Sequence, residues 1–134
     1  MWDKLFTSVN LLEQGLNASW LRNEVIGSNI ANADTPGFKA SRVEFEELMA
    51  QTLGETDRLS MTASDERHFT QSGSTSGTVS PQVITDESTS IRMDGNNVDV
   101  ESQMAAMAKN SIEYYTLVNK VNSEFRKLDT AIGV

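Results

Sequence analysis

Apolar residues in the first quarter of the chain recur at alternating steps of four and three. Leu5, Val9, Leu12, Leu16, Ser19, Asn23, Ile26 and Ile30 keep this spacing for nearly four heptads, with Ser19 and Asn23 as its polar members. Such a repeat holds one helix face against a partner helix. The last quarter is more regular. Val100, Met104, Met107, Ser111, Tyr114, Val118, Val121, Phe125, Leu128 and Ile132 make nine unbroken steps. The pattern predicts two long terminal helices pairing as an antiparallel coiled-coil hairpin. It makes the fold mainly α, with an irregular or short-stranded segment between the helices.

Local signals bound these helices. Asp3 is placed to cap the first, and Asn32 to close it in a left-handed conformation. Thr35 precedes a proline and is therefore pushed out of helical conformation. Pro36-Gly37 suits positions i+1 and i+2 of a type II turn, where proline sets the first φ and glycine supplies a positive second φ. The second helix opens on Asp94-Gly95-Asn96-Asn97-Val98-Asp99-Val100-Glu101. Asp94-Gly95 reads as a tight turn feeding Asp99 as N-cap, with Glu101 favourable at the positive end of the helix dipole and Arg126 and Lys127 favourable in the last turns. In an antiparallel hairpin Leu5 approaches Ile132. The polar positions Ser19 and Asn23 then fall level with Tyr114 and Ser111, either as a register-setting polar layer or as a solvated weak point.

The chain divides into residues 1–40, 41–97 and 98–134: helix with turn motif, middle segment, and second helix. In the middle, Phe45, Leu48, Met49 and Leu53 suit a short amphipathic helix over Glu44 to Leu53. From Thr70 to Ser90 the composition is Ser/Thr-rich, broken by Gly73, Gly77 and Pro81, and Val79, Val83 and Ile84 suit short strands. Trp2, Phe6, Leu11, Trp20, Leu21, Val25, Ile112, Tyr115 and Leu117 lie off both stripes. Apolar area of that extent marks an interface with other subunits unless the middle folds back over it.

Charge narrows the partners. The net charge is −8, and Ser41 to Gln103 holds 12 acids against 4 Arg and no Lys, so the whole excess sits there. No basic face exists to displace counterions from nucleic acid or to meet an anionic membrane. A hydrophobic fraction of 38% is low for a chain burying its own core. Without cysteine there is neither a disulfide nor a thiolate metal site. Polar residues interrupt the N-terminus, which argues against a Sec signal, and no apolar run is long enough to span a bilayer.

Chemistry finds no foothold. His68 stands alone beside Asp65 and Glu66, and surface solvation accounts for it. Asp94, Asn96, Asp99 and Glu101 hint at a calcium loop, but Val98 and Ala105 occupy positions that need oxygen ligands. No nucleophile–histidine pair, phosphate loop or opposed carboxylate pair is present. We therefore expect neither catalysis nor a cofactor.

The stretch Asn29-Ile30-Ala31-Asn32-Ala33-Asp34-Thr35-Pro36-Gly37-Phe38-Lys39 resembles the N-terminal signature of bacterial flagellar rod, hook and hook-associated proteins. Phe38 stands where that family more often has Tyr. The Asp94-to-Asp99 junction and the short middle are similar to those of its small proximal-rod members. The resemblance covers roughly residues 1–50 and 90–134. It implies a structural rod subunit in the periplasmic part of the basal body, a torque-transmitting shaft for motility. It also implies export through the flagellar type III apparatus without a cleaved signal peptide and no membrane insertion of its own. Implied partners are copies of itself, other rod proteins and an adapter at the membrane ring. Alternatives are another rod protein of the family, with a different junction, or a secreted coiled-coil module unrelated to flagella.

Overall fold

The computed structural model describes residues 2–50, 79–88 and 92–133, except for the side chains of residues 2–7. Helix α1 spans Trp2–Ala31 and helix α2 spans Val100–Ile132. At about 1.5 Å per residue each is roughly 45–50 Å long. They run antiparallel along each other. Gly15 faces Leu117, Ser19 meets Asn110, and Asn29 meets Gln103. Strands β1 (Ser41–Glu44) and β2 (Gln82–Thr85) form a two-stranded antiparallel sheet, with Val43 opposite Val83. The architecture is the expected helical hairpin with a short-stranded middle.

Several boundaries differ from the sequence expectations. α1 begins at Trp2, so Asp3 lies inside its first turn and does not cap it. Asn32 does not adopt a left-handed conformation, because no described non-glycine residue has a positive φ. Its backbone N–H instead continues the helical pattern to the Ser28 carbonyl at 3.1 Å, and its side-chain amide reaches the same oxygen at 2.8 Å. Glu44 ends β1, and helical structure starts only at residue 46. α2 continues to Ile132, closed by Gly133 at φ 81°, which leaves Arg126 and Lys127 short of its last turn. Lys127 pairs with Glu124 at 2.8 Å instead. The expectations for Leu53, Asp65, Glu66, His68, Gly73 and Gly77, and for the side chains of Trp2, Leu5 and Phe6, fall outside the described residues.

The core is small and lies against the middle of α1. Ala18, Phe45 and Val79 form its buried cluster, joined by half-buried Leu48 and Met49. Phe45 and Val79 of the middle segment therefore both fold back onto α1. The Val79 N–H also donates to the Gln14 side chain at 2.9 Å. Arg22 ties the layers together, pairing with Glu46 beside β1 and with Glu113 on α2 at 3.0 Å. Partial burial works to raise the Glu46 carboxyl, but the Arg22 hydrogen bond, its own backbone N–H and the charges of Arg22 and Lys109 outweigh it and hold it below its ordinary value.

Candidate functional site: an asparagine clasp and an outward stripe

Where α1 ends, its last carbonyls have no partner within the helix. Just past that end, Asn96, fully buried, holds the chain from 61–64 residues away. Its side-chain nitrogen lies 2.9 Å from the Asn32 carbonyl, 3.0 Å from that of Ala33 and 2.9 Å from that of Thr35. Its side-chain oxygen accepts from the Val98 N–H at 2.8 Å. Arg92 donates to the Ala33 carbonyl at 3.0 Å and pairs with Asp94 at 3.1 Å. A cation thus reaches the negative end of a helix whose own last turn contains no basic residue.

Two further amides complete the clasp. Asn29, 1% exposed, accepts from the Ser41 N–H at 3.0 Å and donates to the Ser41 carbonyl at 2.7 Å and to Gln103 on α2 at 3.0 Å. Asn97 accepts from the Ala40 N–H at 2.7 Å and donates to the Asp86 carbonyl at 2.8 Å. Asparagine suits these places because one short side chain carries both an acceptor and donors. The three residues join α1, β1, β2 and α2. No buried side-chain nitrogen or oxygen among the described residues lacks a partner.

Two turns bring these parts into reach. Gly37 has φ 72°, and Phe38 N–H donates back to the Thr35 carbonyl at 3.3 Å, closing the turn that starts at Thr35 and Pro36. Gly95 has φ 78°, and a Cβ there would lie at an ordinary 3.7 Å from the Gly37 Cα, so the turns abut and it is the positive φ of each that calls for glycine. The Gly37 N–H donates across this contact to the Asp94 carbonyl at 2.8 Å. Val98 is buried, and Asp99 caps α2 through the Glu101 and Ser102 amides. The tie between Asp34 and Arg92 is the loosest, at 4.0 Å, with Asp34 fully exposed.

The motif residues named from sequence therefore converge at one end of the hairpin. Asn97, Arg92, Ser41 and Gln103 were missed as their partners. Asn97 sits beside Asn96 in the motif, whereas Arg92, Ser41 and Gln103 give no local signal, because their role exists only once distant backbone arrives.

The helix seam requires a correction. Met104, Tyr114 and Phe125 are exposed and are not buried against α1, as are Ser111 and Ile132. Asn110, Leu117 and Glu124 take inner positions instead, with Met107, Val118, Val121 and Leu128 half-buried beside them. On α1 Ile26 is buried, and Val9, Leu12, Leu16 and Ile30 are half-buried. The cause is polar and steric. Asn110 donates to the Ser19 carbonyl at 2.9 Å and accepts from its hydroxyl at 2.9 Å, while Leu117 seats over Gly15, turning the heptad stripe of α2 partly outward. Ser19 thus forms a buried polar layer, level with Tyr114 as expected, but Asn23 and Ser111 stay exposed. Trp20, Ile112 and Tyr115 continue the outer face at 65–68% exposure. With Tyr114, Asn23 and Ser111, Trp20 and Tyr115 border an open cleft between the helices.

Known proteins share this organisation at the level of sequence. A family model described as flagella basal body rod protein matches residues 10–39, which carry the first helix and the Pro36-Gly37 turn. The flagellar basal body rod protein FlgB of Bacillus subtilis is 36% identical over 125 residues, covering 93% of this chain and 92% of the relative. The protein of that name from Proteus mirabilis is 32% identical over 138 residues, covering 96% and 95%. That of Escherichia coli is 28% identical over 130 residues, covering 94% and 93%.

Proposed function

The chain belongs to the FlgB family of flagellar basal body rod proteins and is a structural subunit of the flagellar basal body rod, and from that premise we propose that its outward helical stripe joins it to neighbouring subunits. The observation carrying this reading is the heptad repeat of α2, of which Met104, Tyr114, Phe125 and Ile132 remain exposed beside Trp20, Ile112 and Tyr115. A seven-residue repeat is a helix-pairing pattern, and half of this one is left exposed among the described residues. Docking of these faces between copies is heterologous, and a heterologous contact that does not close builds an open helical shaft.

The finer placement follows the same premise. We place the subunit in the proximal rod, among copies of itself, other rod proteins and the adapter at the membrane ring, as part of the shaft that carries torque across the periplasm. Export runs through the flagellar type III apparatus without a cleaved signal peptide. The role is mechanical, with no reaction assigned to any residue. None of the described helices is long and apolar enough to cross a membrane.

Met104→Asp and Phe125→Asp test the stripe. Both sites are exposed, so each purified variant keeps its helix content, while isolated basal bodies lose it from the rod and cells stop swimming. Normal incorporation of both would sink the docking role of the stripe.

A further inference from the structure

The cleft between the helices has no charged side chain in its lining. Trp20, Tyr114 and Tyr115 wall it over the buried Ser19 and Asn110 pair. The two tyrosine rings meet edge to face with centroids 6.2 Å apart, so the wall offers both ring edges and ring faces. Its volume is about 210 Å³, room for one or two side chains and too little for a helix about 10 Å across. The clasp end of the chain presents a shape of that size. Met93 and Pro36 are both exposed, and the Gly37 N–H, bonded to the Asp94 carbonyl at 2.8 Å, holds their two turns together. The buried amides of Asn96 and Asn97 fix this tip from beneath, so binding it elsewhere costs little ordering. Asp34 stands beside it, fully exposed and tied to Arg92 at 4.0 Å.

We propose that the Pro36 and Met93 tip of one copy seats in the Trp20, Tyr114 and Tyr115 cleft of a second copy. The place of this contact in a rod rests on the reading above; the contact itself does not. A thioether is favoured against aromatic ring edges, and proline is the side chain that aromatic-lined grooves take up. Asn23, exposed at the cleft, brings an amide donor to the incoming Asp34 carboxylate. Charge selects the same surfaces. Each copy carries −8, so copies repel unless they meet through uncharged parts, as this cleft and this tip are. An end-to-middle contact is heterologous and does not close on itself. The cleft lies 8–12 residues before the end of α1, so parallel copies joined this way are displaced by about 15–20 Å along the helix axis. A contact of one or two side chains falls well below the roughly 1,200 Å² of a stable interface, so pairs in solution are transient and have to be trapped.

The chain contains no cysteine, so introduced cysteines report the contact without background. A full-length Met93→Cys copy is mixed under mild oxidation with a Ser111→Cys copy that carries an epitope tag, so that mixed dimers are resolved by mass. The control replaces Ser111→Cys with Thr116→Cys. Both sites are exposed and both hydroxyls donate to the carbonyl four residues back, but only Ser111 lines the cleft. The expected result is a mixed-dimer yield at least about tenfold above the control, because the contact raises the local thiol concentration. Trp20→Ala on the tagged Ser111→Cys copy, at a site 65% exposed, should return the yield to the control while helix content stays unchanged. Equal yields in the two mixtures, or trapping indifferent to Trp20→Ala, would overturn the proposal. So would Ser111→Cys copies pairing with one another as fast as with Met93→Cys, which would make the occupant a second cleft and not the tip. The assay needs no rod. Absence of the wild-type chain from isolated basal bodies would sink the rod reading and leave a trapped mixed dimer standing.

Discussion

The clasp and the outer face of α2 use opposite means. The clasp is polar and buried: Asn96 and Asn29 are removed from water, and their hydrogen-bonding groups find partners on distant backbone. The outer face is apolar and wet, with Met104, Ile112, Tyr115 and Phe125 all at least half exposed. Ordinary folding economy would place them the other way round. The difference teaches that uniqueness and association reside in different parts of this molecule. Buried amides accept few alternative geometries, so they specify one junction. Apolar surface is indifferent to geometry and stays available for another chain.

The strongest way to break the contrast is at Asn96. Asn96→Ala strands the buried Val98 amide and removes one donor from each of the Asn32, Ala33 and Thr35 carbonyls, which the Thr35 amide, Arg92 and the Phe38 amide still serve, and should cost about 1–3 kcal/mol, read as a lowered midpoint of urea unfolding. A loss below about 1 kcal/mol would mean that water replaces the amide freely. Asp in place of Phe125, by contrast, should move the midpoint by less than about 0.5 kcal/mol, as exposed substitutions do. That pair of values separates the junction from the docking face.

Next in size are the abutting turns. Gly95→Ala has room beside Gly37 but must hold a left-handed φ of 78°, which should cost about 1–2 kcal/mol. An unchanged midpoint would show that the turn relaxes.

Acid should act on carboxylates at the joints. Hydrogen bonding from Lys127 dominates at Glu124, and from the Ser88 backbone at Asp86, so both sit below their ordinary values, as does Glu46 beside Arg22. A lowered folded-state value favours the charged form in the folded chain. The contribution is therefore complete above the ordinary carboxylate range of about pH 4 and is lost as pH falls through the lower folded values. Thermal midpoints should be flat from about pH 7 to 5 and fall below about pH 4. Glu124→Gln should flatten part of that fall, and an unaltered acid limb would remove Glu124 from the account. The smallest effect sharpens the comparison from the end of the hairpin away from the clasp. Gly15→Ala should raise stability by about 0.5–1 kcal/mol, seen as a higher midpoint.

Much of the hairpin was legible in advance. The two stripes, the Pro36-Gly37 turn, the Asp99 cap and the level pairing of Ser19 with the Tyr114 region are consequences of spacing and local chemistry. They need only nearby residues. The rotation of α2 was not legible, because Asn110 and Ser111 are equally polar neighbours in sequence. Only the Ser19 carbonyl opposite makes Asn110 the one to bury. The end of α1 was misjudged for a similar reason. Asn32 looked like a left-handed stop, yet the chain just past the helix is held by Asn96 and Arg92 from far along the sequence.

The sequence by itself determined that two long helices exist, that Asp99 opens the second, and that more apolar surface lies on them than one hairpin can hide. Helix periodicity, proline and glycine act through the local backbone. Which face of α2 turns inward, which carbonyls Asn96 closes, and how Arg22 joins Glu46 to Glu113 were decided only by the tertiary structure. Each depends on a group brought near by the fold. A buried polar atom's partner is a property of the packed chain, not of its neighbours in sequence.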